Sequence, residues 1–259
     1  MDSQTRIDST GNTILLLGDI HQDIPKLEKI IKAEGPDITV TTGDWFDSFD
    51  YDTNEHVRNA ANFLLANHKN PNFVTCKGNH DVHYLYESKC LPCSGYERRK
   101  HLIIRDALGE HRRAVRDSMK WYVWLDDYLV SHAGIHPSFL SPMLKIDKDS
   151  IDKWMVDEIH KNEQFLAMGT QGWFTVAGYG RGGSYPVGGL LWADFNCEFK
   201  PIEGLKQIVG HTPHIRITNY LNGETVMKPN IDNLDIDCNF NQYIIVRDKV
   251  ITIKNYSDL

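Results

Sequence analysis

The sequence predicts an α/β protein whose first sheet is parallel. Three short apolar runs, each followed by a glycine within two residues, lie at 13–17, 38–42 and 73–76. Helical patterns separate these runs, and successive strand–turn–helix units imply parallel strands joined by crossover helices. The C-terminal third instead alternates short apolar runs with turns, which predicts a second, mostly antiparallel sheet.

The first two predicted helices have recognisable boundary residues. Asp23 is placed as the N-cap of the first helix, Pro25 occupies an early helical position, and Gly35 marks the end. The second helix begins at Asn54 or Glu55 and carries an apolar stripe. Each helix therefore spans the connection between two predicted strands.

The rest of the chain has further helical regions, a hairpin, a loop and short strands. Residues 96–118 and 151–166 have helical apolar stripes, Asp126-Asp127 turns a hairpin between 121–124 and 128–131, and 169–189 is glycine-rich. The C-terminal strands are expected at 207–209, 215–221, 224–227, 243–247 and 249–253, with turns at Asn222-Gly223 and Asp248-Lys249. We expect a single domain over 1–259, with a flexible N-terminus at 1–12 and a core at 13–253.

The bulk composition is that of an acidic globular protein. Of its 259 residues, 41% are hydrophobic and 24% are charged, and the formal net charge is −7. General nucleic-acid binding needs a basic surface, so this charge argues against it. Five cysteines are thinly spread. Because neither a signal peptide nor an apolar run of about 18 residues is evident, we expect a cytoplasmic protein without membrane contact; the oligomeric state is not indicated.

Side chains that bind metals follow five of the apolar runs. Aspartate, asparagine and histidine without cysteine form a ligand set for two divalent cations of intermediate hardness. In parallel sheets, functional groups gather at the carboxyl ends of the strands. The candidate ligands are Asp19, His21, Asp44, Asn79, His132 and His211.

The first two motifs suggest how their carboxylates could be used. Asp19 and His21 project to one side of an extended segment, which suits them to share one metal. Asp44 is the candidate for a carboxylate that bridges two cations. An aspartate at a strand end is also a common turn residue or helix cap, and this structural alternative is equally frequent for an isolated motif.

The third motif, Gly78-Asn79-His80-Asp81, adds a candidate proton donor. The oxygen of Asn79 can coordinate a metal without adding negative charge, and His80 can then act on substrate as a general acid. Asp47 either orients the imidazole of His80 or caps the following helix.

Together these motifs resemble those of the calcineurin-like metallophosphoesterases, especially the phosphoprotein-phosphatase branch and its phage and bacterial relatives. The resemblance spans 13–253 and includes Ser131-His-Ala-Gly-Ile-His-Pro137, Leu190-Leu-Trp-Ala-Asp194 and Val209-Gly-His-Thr-Pro213. It implies a four-layer α/β/β/α sandwich with two central mixed β-sheets. It also implies one metal on Asp19, His21 and Asp44, a second on Asp44, Asn79, His132 and His211, and His80 as a proton donor paired with Asp47.

The chain departs from this family pattern where the branch usually has a phosphate-binding arginine. Here Ser48 follows Asp47. Bidentate guanidinium contacts are a main device for holding a phosphoryl group, so the departure leaves the substrate open. Arg181, in the glycine-rich loop, is the candidate replacement for substrate binding, and an arginine on a surface loop is the equally weighted alternative.

One other group of residues, and one alternative to a ligand already named, could bind a metal. Cys90 and Cys93, with His83 and His101 nearby in sequence, could hold a structural zinc ion, but a single pair of cysteines favours a plain turn. His214 could replace His211 as a ligand, which is the less favoured assignment.

The sequence therefore predicts a dinuclear metal-dependent enzyme that hydrolyses a phosphate monoester, on a phosphoprotein or a small molecule, by metal-hydroxide attack. Manganese is the preferred metal, with iron, zinc or cobalt as alternatives. A second hypothesis is a phosphodiesterase, or a hydrolase of nucleotides or dinucleoside polyphosphates. A third is a non-catalytic binding scaffold, which would have no reason to retain His80 together with all the expected ligands.

Overall fold

In the computed structural model, the chain is described over residues 6–50, 52–86, 93–220 and 232–259. Within these ranges the strands are β1 (Arg6–Ile7), β2 (Thr13–Leu17), β3 (Ile38–Thr41), β4 (Phe73–Thr75), β5 (Tyr122–Leu125), β6 (Tyr128–Ser131), β7 (Lys206–Val209), β8 (Thr218–Asn219), β9 (Asn233–Asp235), β10 (Gln242–Arg247) and β11 (Val250–Asn255). The α-helices are α1 (Ile24–Glu34), α2 (Asn54–Asn67), α3 (Asn79–Leu85), α4 (Arg98–Leu108), α5 (Arg112–Ser118) and α6 (Lys148–Ala167).

The strands form two mixed sheets. The first has the order β11-β10-β2-β3-β4, and β2, β3 and β4 are parallel, as the strand–turn–helix pattern predicts. The second has the order β1-β5-β6-β7-β9-β8. Helix α1 begins as expected, because Asp23 accepts a hydrogen bond from the backbone amide of Lys26, and Gly35 ends the helix with a φ of 53°.

The C-terminal strands do not form a separate antiparallel sheet, so that prediction was wrong. The β10–β11 hairpin pairs antiparallel with β2 and extends the first sheet, whereas β7 and β9 run parallel to β6 in the second. Apolar alternation shows that a strand has a buried face but does not identify the strand it pairs with. The hairpin turn at Asp248-Lys249 is confirmed, with φ values of 46° and 65°. The predicted turn at Asn222-Gly223 and the run at 224–227 lie outside the described residues.

The N-terminal segment contains a short strand that the sequence did not predict. Residues Arg6 and Ile7 pair parallel with β5, and the Nε of Arg6 donates to a carboxylate oxygen of Asp152 at 3.1 Å. A two-residue strand is too short to give a recognisable apolar period, which is why the sequence did not indicate it.

Successive side chains of a strand point to opposite faces of its sheet, and this alternation creates the layers of the fold. Ile14 and Leu16 face the second sheet and pack in a core with β-strand residues such as Val130 and Ile208. Leu15 and Leu17 face the other way, in the core that contains the apolar faces of the helices. The two sheets therefore lie face to face with helices outside them, and the predicted four-layer arrangement is confirmed. Within the described ranges, none of the helices has the length and hydropathy of a membrane span.

Candidate metal centre

The polar motifs follow the carboxyl ends of strands from both sheets. Asp19, Asp44 and Asn79 come after β2, β3 and β4, whereas His132 and His211 come after β6 and β7. The backbone amide of Gly210 donates to the carbonyl of His132 at 2.7 Å and ties the last two loops together. A Cβ at Gly210 would lie 2.2 Å from Oδ1 of Asp19, so only glycine lets this loop approach the first sheet so closely.

The first candidate ligand group contains Asp19, His21 and Asp44, whose ligand atoms all lie within 4.8 Å of one another. The hydroxyl of Thr42 donates to Oδ1 of Asp19 at 2.7 Å. The Nδ1 of His21 lies 2.8 Å from the carbonyl oxygen of Asp47 and donates to it. This bond leaves the lone pair on Nε2 of His21, the arrangement expected of a histidine that binds a metal.

The second group is centred on Nε2 of His132. This atom lies 2.8 Å from Oδ1 of Asn79, 3.2 Å from Nδ1 of His211 and 3.5 Å from Oδ2 of Asp44. The Nδ1 of His132 faces the carbonyl oxygen of Thr42 at 3.1 Å and donates to it, so Nε2 carries a lone pair. That lone pair faces the amide oxygen of Asn79, which is also an acceptor, and a cation between them would convert a repulsive contact into coordination.

Burial disfavours the charged forms of the carboxylates and imidazoles in these two ligand groups. It raises the pKa of Asp44, and the nearby carboxylates of Asp19 and Asp81 raise it further. Burial also lowers the pKa of His132 to about 3 and that of His211 well below its usual value, so both imidazoles are neutral. Neutral imidazoles beside ionisable carboxylates form a donor set that fits divalent cations, whose charge would stabilise the ionised carboxylates.

Several of these residues have an uncommon backbone conformation. The φ values are 42° at His21, 50° at Asp44, 61° at Asp47 and 73° at His211. Residues other than glycine rarely adopt a positive φ, because this backbone conformation is strained for them. Backbone strain of this kind concentrates at functional sites. Backbone hydrogen bonds hold the first two loops together, from His21 to Asp44 at 2.7 Å and from Ile20 to Gly43 at 3.1 Å.

The pair expected to handle the proton is formed in the structure. The Nδ1 of His80 lies 2.9 Å from Oδ2 of Asp47, while the hydroxyl of Tyr84 and the ammonium of Lys100 donate to Oδ1 at 2.6 and 2.9 Å. Burial alone would raise the pKa of Asp47, but hydrogen bonds from His80 and His83 hold it well below its usual range. The alternative that Asp47 caps the following helix is not observed, because Thr53 caps α2. Sequence reasoning missed Tyr84 and Lys100, since neither belongs to a recognisable motif.

Asp81 is a third residue whose role in the site sequence reasoning missed. Its Oδ2 accepts hydrogen bonds from the backbone amides of Gly78 and Asp44 at 2.8 and 2.9 Å, and Oδ1 accepts from Trp45 at 2.7 Å. One buried carboxylate therefore holds the second and third motifs against each other. Its position three residues after the helix N-cap Gly78 is typical of a capping box, which could have indicated a structural role.

A cavity of about 290 Å³ opens onto both ligand groups and onto His80. Arg181, the predicted substrate-binding residue, lines it together with Ser48. The Nη2 of Arg181 donates to the carbonyl oxygen of His211 at 3.1 Å and to the hydroxyl of Thr212 at 3.0 Å, and Nε lies 2.9 Å from Asp194. These contacts bring the arginine to the cavity wall. His214 lies elsewhere, with Nε2 3.6 Å from Asp235.

Comparison with known proteins identifies the family. A family model described as calcineurin-like phosphoesterase matches residues 13–215, which is more than half of the 259 residues. The chain belongs to the calcineurin-like phosphoesterases. It is therefore a hydrolase that acts on phosphate ester bonds and depends on metal ions. No curated protein has a detectably similar sequence.

Solved structures confirm the calcineurin-like phosphoesterase fold at low sequence identity. A cold-active protein-tyrosine phosphatase of a psychrophilic Shewanella species has a TM-score of 0.61 and 16% identity, with 100% of this chain and 81% of that chain covered. A protein serine/threonine phosphatase from Saccharomyces cerevisiae, with similarity to human phosphatase PP5, has a TM-score of 0.50 and 14% identity over 97% and 82%. A putative diadenosine tetraphosphatase has a TM-score of 0.50 and 16% identity over 97% of each chain.

Proposed function

We propose that this phosphoesterase hydrolyses phosphate monoesters, on a phosphoprotein or a small molecule, at a dinuclear centre formed by the two ligand groups. The observation that carries the proposal is that both groups share Asp44 and open, together with His80, onto one cavity. A shared carboxylate would hold two ions close to each other, and His80 would lie beside the phosphoryl group that they bind.

Each group in the site has a distinct role in this proposal. When bound, two divalent ions would supply positive charge to the phosphoryl oxygens and activate the attacking water. His80 donates a proton to the leaving oxygen, because its Nδ1 bonds to Asp47 and its Nε2 is the nitrogen available to substrate. Asp47 holds the ring in that orientation. Burial lowers the pKa of His80 to about 4, and the hydrogen bond to Asp47 offsets part of that effect. Tyr84 and Lys100 fix the other oxygen of Asp47.

Arg181 supports a monoester as the substrate. A monoester carries more negative charge than a diester, and a guanidinium at the cavity wall offers a cationic partner for the non-bridging oxygens. The cavity is also lined by Asp23, Asp50 and Asp237, so bound metals and Arg181 together would have to offset their charge.

Substitution of Arg181 tests this assignment. In Arg181→Gln we expect KM for a monoester to rise by about 10- to 100-fold, the equivalent of losing a charged hydrogen bond, while two metals per chain remain bound. Arg181→Lys keeps the charge and should recover part of the loss. The measurement is steady-state kinetics beside elemental analysis. An unchanged KM in Arg181→Gln would mean that the arginine only supports the loop around His211.

Nucleotide hydrolysis is the second candidate, and the aromatic wall of the cavity favours it. Phe49 is 71% exposed, and its ring lies 5.9 Å from those of His21 and His80 in edge contacts. Trp192 lines the same cavity. Exposed aromatic rings beside a phosphate site can stack on a nucleobase or on another aromatic leaving group.

A substrate panel distinguishes the two candidates. We expect metal-loaded protein to cleave p-nitrophenyl phosphate with a kcat/KM at least about tenfold above that for bis(p-nitrophenyl) phosphate. Nucleotides and dinucleoside polyphosphates complete the panel. A preference for these, or for the bis ester, would contradict the monoester proposal, and so would the absence of turnover on any of the monoesters.

We also propose manganese as the metal and a reducing cytoplasmic setting. Nitrogen and oxygen ligands admit manganese, iron, zinc or cobalt, and availability in the cell decides among them. The described cysteines Cys76, Cys93, Cys197 and Cys238 all carry free thiols, which fits a reducing compartment. Elemental analysis of protein purified without added metal, followed by reconstitution with each ion, tests the choice of metal.

A further inference from the structure

A third group of ligand-type side chains lies beside the proposed dinuclear centre. It contains Asp47, His80, His83 and Cys93, and one ligand atom from each lies within 4.8 Å of all the others. The Sγ of Cys93 is 2.9 Å from Nδ1 of His83 and 3.4 Å from Nδ1 of His80. Oδ2 of Asp47 is 2.9 Å from Nδ1 of His80 and 3.0 Å from Nε2 of His83. The four side chains thus converge on one small volume.

The chemistry of this group differs from that of the other two. It contains a sulfur atom, whereas the other two offer only nitrogen and oxygen. Cysteine, histidine and carboxylate together are typical of tetrahedral zinc, and bond lengths of about 2.0–2.3 Å place such ligand atoms roughly 3–4 Å apart. The 3.4 Å between Sγ of Cys93 and Nδ1 of His80 is in this range, and the 2.9 Å between Oδ2 of Asp47 and Nδ1 of His80 is just below it. His83 contacts Cys93 through Nδ1 and Asp47 through Nε2, so it would offer one of these two nitrogens to an ion.

The surroundings also suit an ion. Asp47, His80 and His83 are buried, Cys93 is half-buried, and the next residue, Ser94, lines the cavity and offers a route from solvent. Tyr84 and Lys100 donate to Oδ1 of Asp47, whereas Oδ2 faces His80 and His83. His101, which the sequence also suggested as a partner of the cysteines, is not a member of it.

We propose that Asp47, His80, His83 and Cys93 form a third metal site that selects thiophilic ions such as Zn²⁺, and that an ion bound there inhibits the enzyme. Selectivity follows from the thiolate, because softer ions prefer sulfur while Mn²⁺ prefers oxygen and nitrogen ligands. The third site contains a sulfur ligand, whereas the two sites of the dinuclear centre contain only oxygen and nitrogen ligands. The enzyme could therefore respond to zinc without exchanging its catalytic metals.

Inhibition rests on the proposed function of His80. Its Nδ1 cannot donate to Asp47 and coordinate a metal at the same time. A metal on Nδ1 would break the contact with Asp47 and take the ring out of the orientation in which Nε2 meets the leaving oxygen, so proton donation to the leaving group slows. Binding at the third site and inhibition through His80 can therefore be tested separately.

Cobalt titration tests binding without any activity measurement. The described ligands of the dinuclear centre include no cysteine, so a thiolate-to-cobalt charge-transfer band in the near-ultraviolet would report the third site alone. In the wild-type protein we expect this band to grow with a third equivalent of Co²⁺, and Zn²⁺ to abolish it by displacement. Absence of the band at three equivalents in wild-type protein would overturn the proposal without recourse to any variant.

Variants identify the ligand that gives the band. Cys93→Ser and His83→Gln should each remove the band and lower the bound metal from three to two ions per chain. Cys197→Ser is the matched control, because Cys197 is an exposed free thiol whose Sγ lies 3.4 Å from Oδ1 of Asp194 and could give adventitious binding. A band that survives in Cys93→Ser, or disappears in Cys197→Ser, would reject the site.

The proposed inhibition is measured in each protein as the ratio of kcat with added Zn²⁺ to kcat without it. Zn²⁺ added to Mn²⁺-loaded wild-type enzyme should lower kcat by about tenfold or more, while the same addition to Cys93→Ser should change kcat less than twofold. Equal inhibition in both proteins would place the effect at the dinuclear centre and reject regulation through Cys93. If no substrate is turned over, the proposed function fails, whereas the cobalt band still decides whether the site exists.

Discussion

Asp44→Asn is expected to lose metal and activity together, with the largest effect of any single substitution in the site. Asp44 is the one residue shared by the two ligand groups of the proposed dinuclear centre, and its Oδ1 also accepts from the backbone amide of His80 at 2.8 Å. Asparagine keeps the size of the side chain but removes the charge and offers one oxygen in place of two. Changing a residue that merely orients a ligand costs about 10- to 100-fold in metal affinity, so loss of a shared ligand should cost more.

Metal content is the decisive measurement for this variant. We expect elemental analysis after gel filtration to show one ion or fewer per chain and turnover to fall at least in proportion. Asp50→Asn is the matched control, because Asp50 lines the same cavity but belongs to neither ligand group. Two ions per chain in Asp44→Asn, or equal losses in the two variants, would contradict a bridging role for Asp44.

His80→Ala is expected to keep two metals per chain while turnover falls on the order of 100-fold or more, the usual contribution of a general acid. The physical reason is that His80 is assigned to the leaving oxygen and not to either ion. The loss should depend on the leaving group: it should be large for alkyl phosphates, whose alkoxide needs a proton, and small for p-nitrophenyl phosphate. Rates for a series of leaving groups, measured beside metal content, check the assignment.

Two companion variants separate proton donation from structural damage. Asp47→Asn should reproduce the leaving-group dependence in weaker form, because it removes the carboxylate that orients the ring while His80 remains. His160→Ala is the control, since His160 is an exposed histidine on α6. A uniform loss across all leaving groups in His80→Ala, or a loss of bound metal, would show that His80 supports the metal centre instead of donating a proton.

Much of the candidate site could be predicted because its residues occur in local motifs. Asp19, Asp44 and Asn79 each follow a predicted parallel strand, and parallel strands in one sheet must bring such residues to one edge. The histidines were harder to place from local pattern alone, because His132 and His211 follow strands of the other sheet. The resemblance to a family assigned them to the same centre, and the distances among these side chains agree with it.

The supporting residues could not be predicted, because they act through contacts distant in sequence. Lys100 reaches Asp47 across 53 positions, and Asp81 binds the backbone of Asp44 across 37. The same holds for the group around Cys93, where a short sequence pattern favoured a plain turn. Its closeness to Asp47 and His80 depends on how α3 and residues 93–96 pack against the second motif.

The fold class, the parallel order of β2, β3 and β4, and the residue types that follow these strands could all be predicted from the chain's local pattern. These features depend on apolar period and on residues adjacent in the chain, which any compact fold of this sequence must satisfy. Three other features are evident only in the folded chain: the C-terminal hairpin joins the first sheet, Asp81 holds two motifs together, and Cys93 faces His80. Strand pairing and contacts between loops depend on which surfaces bury each other, and that choice is made by the whole chain.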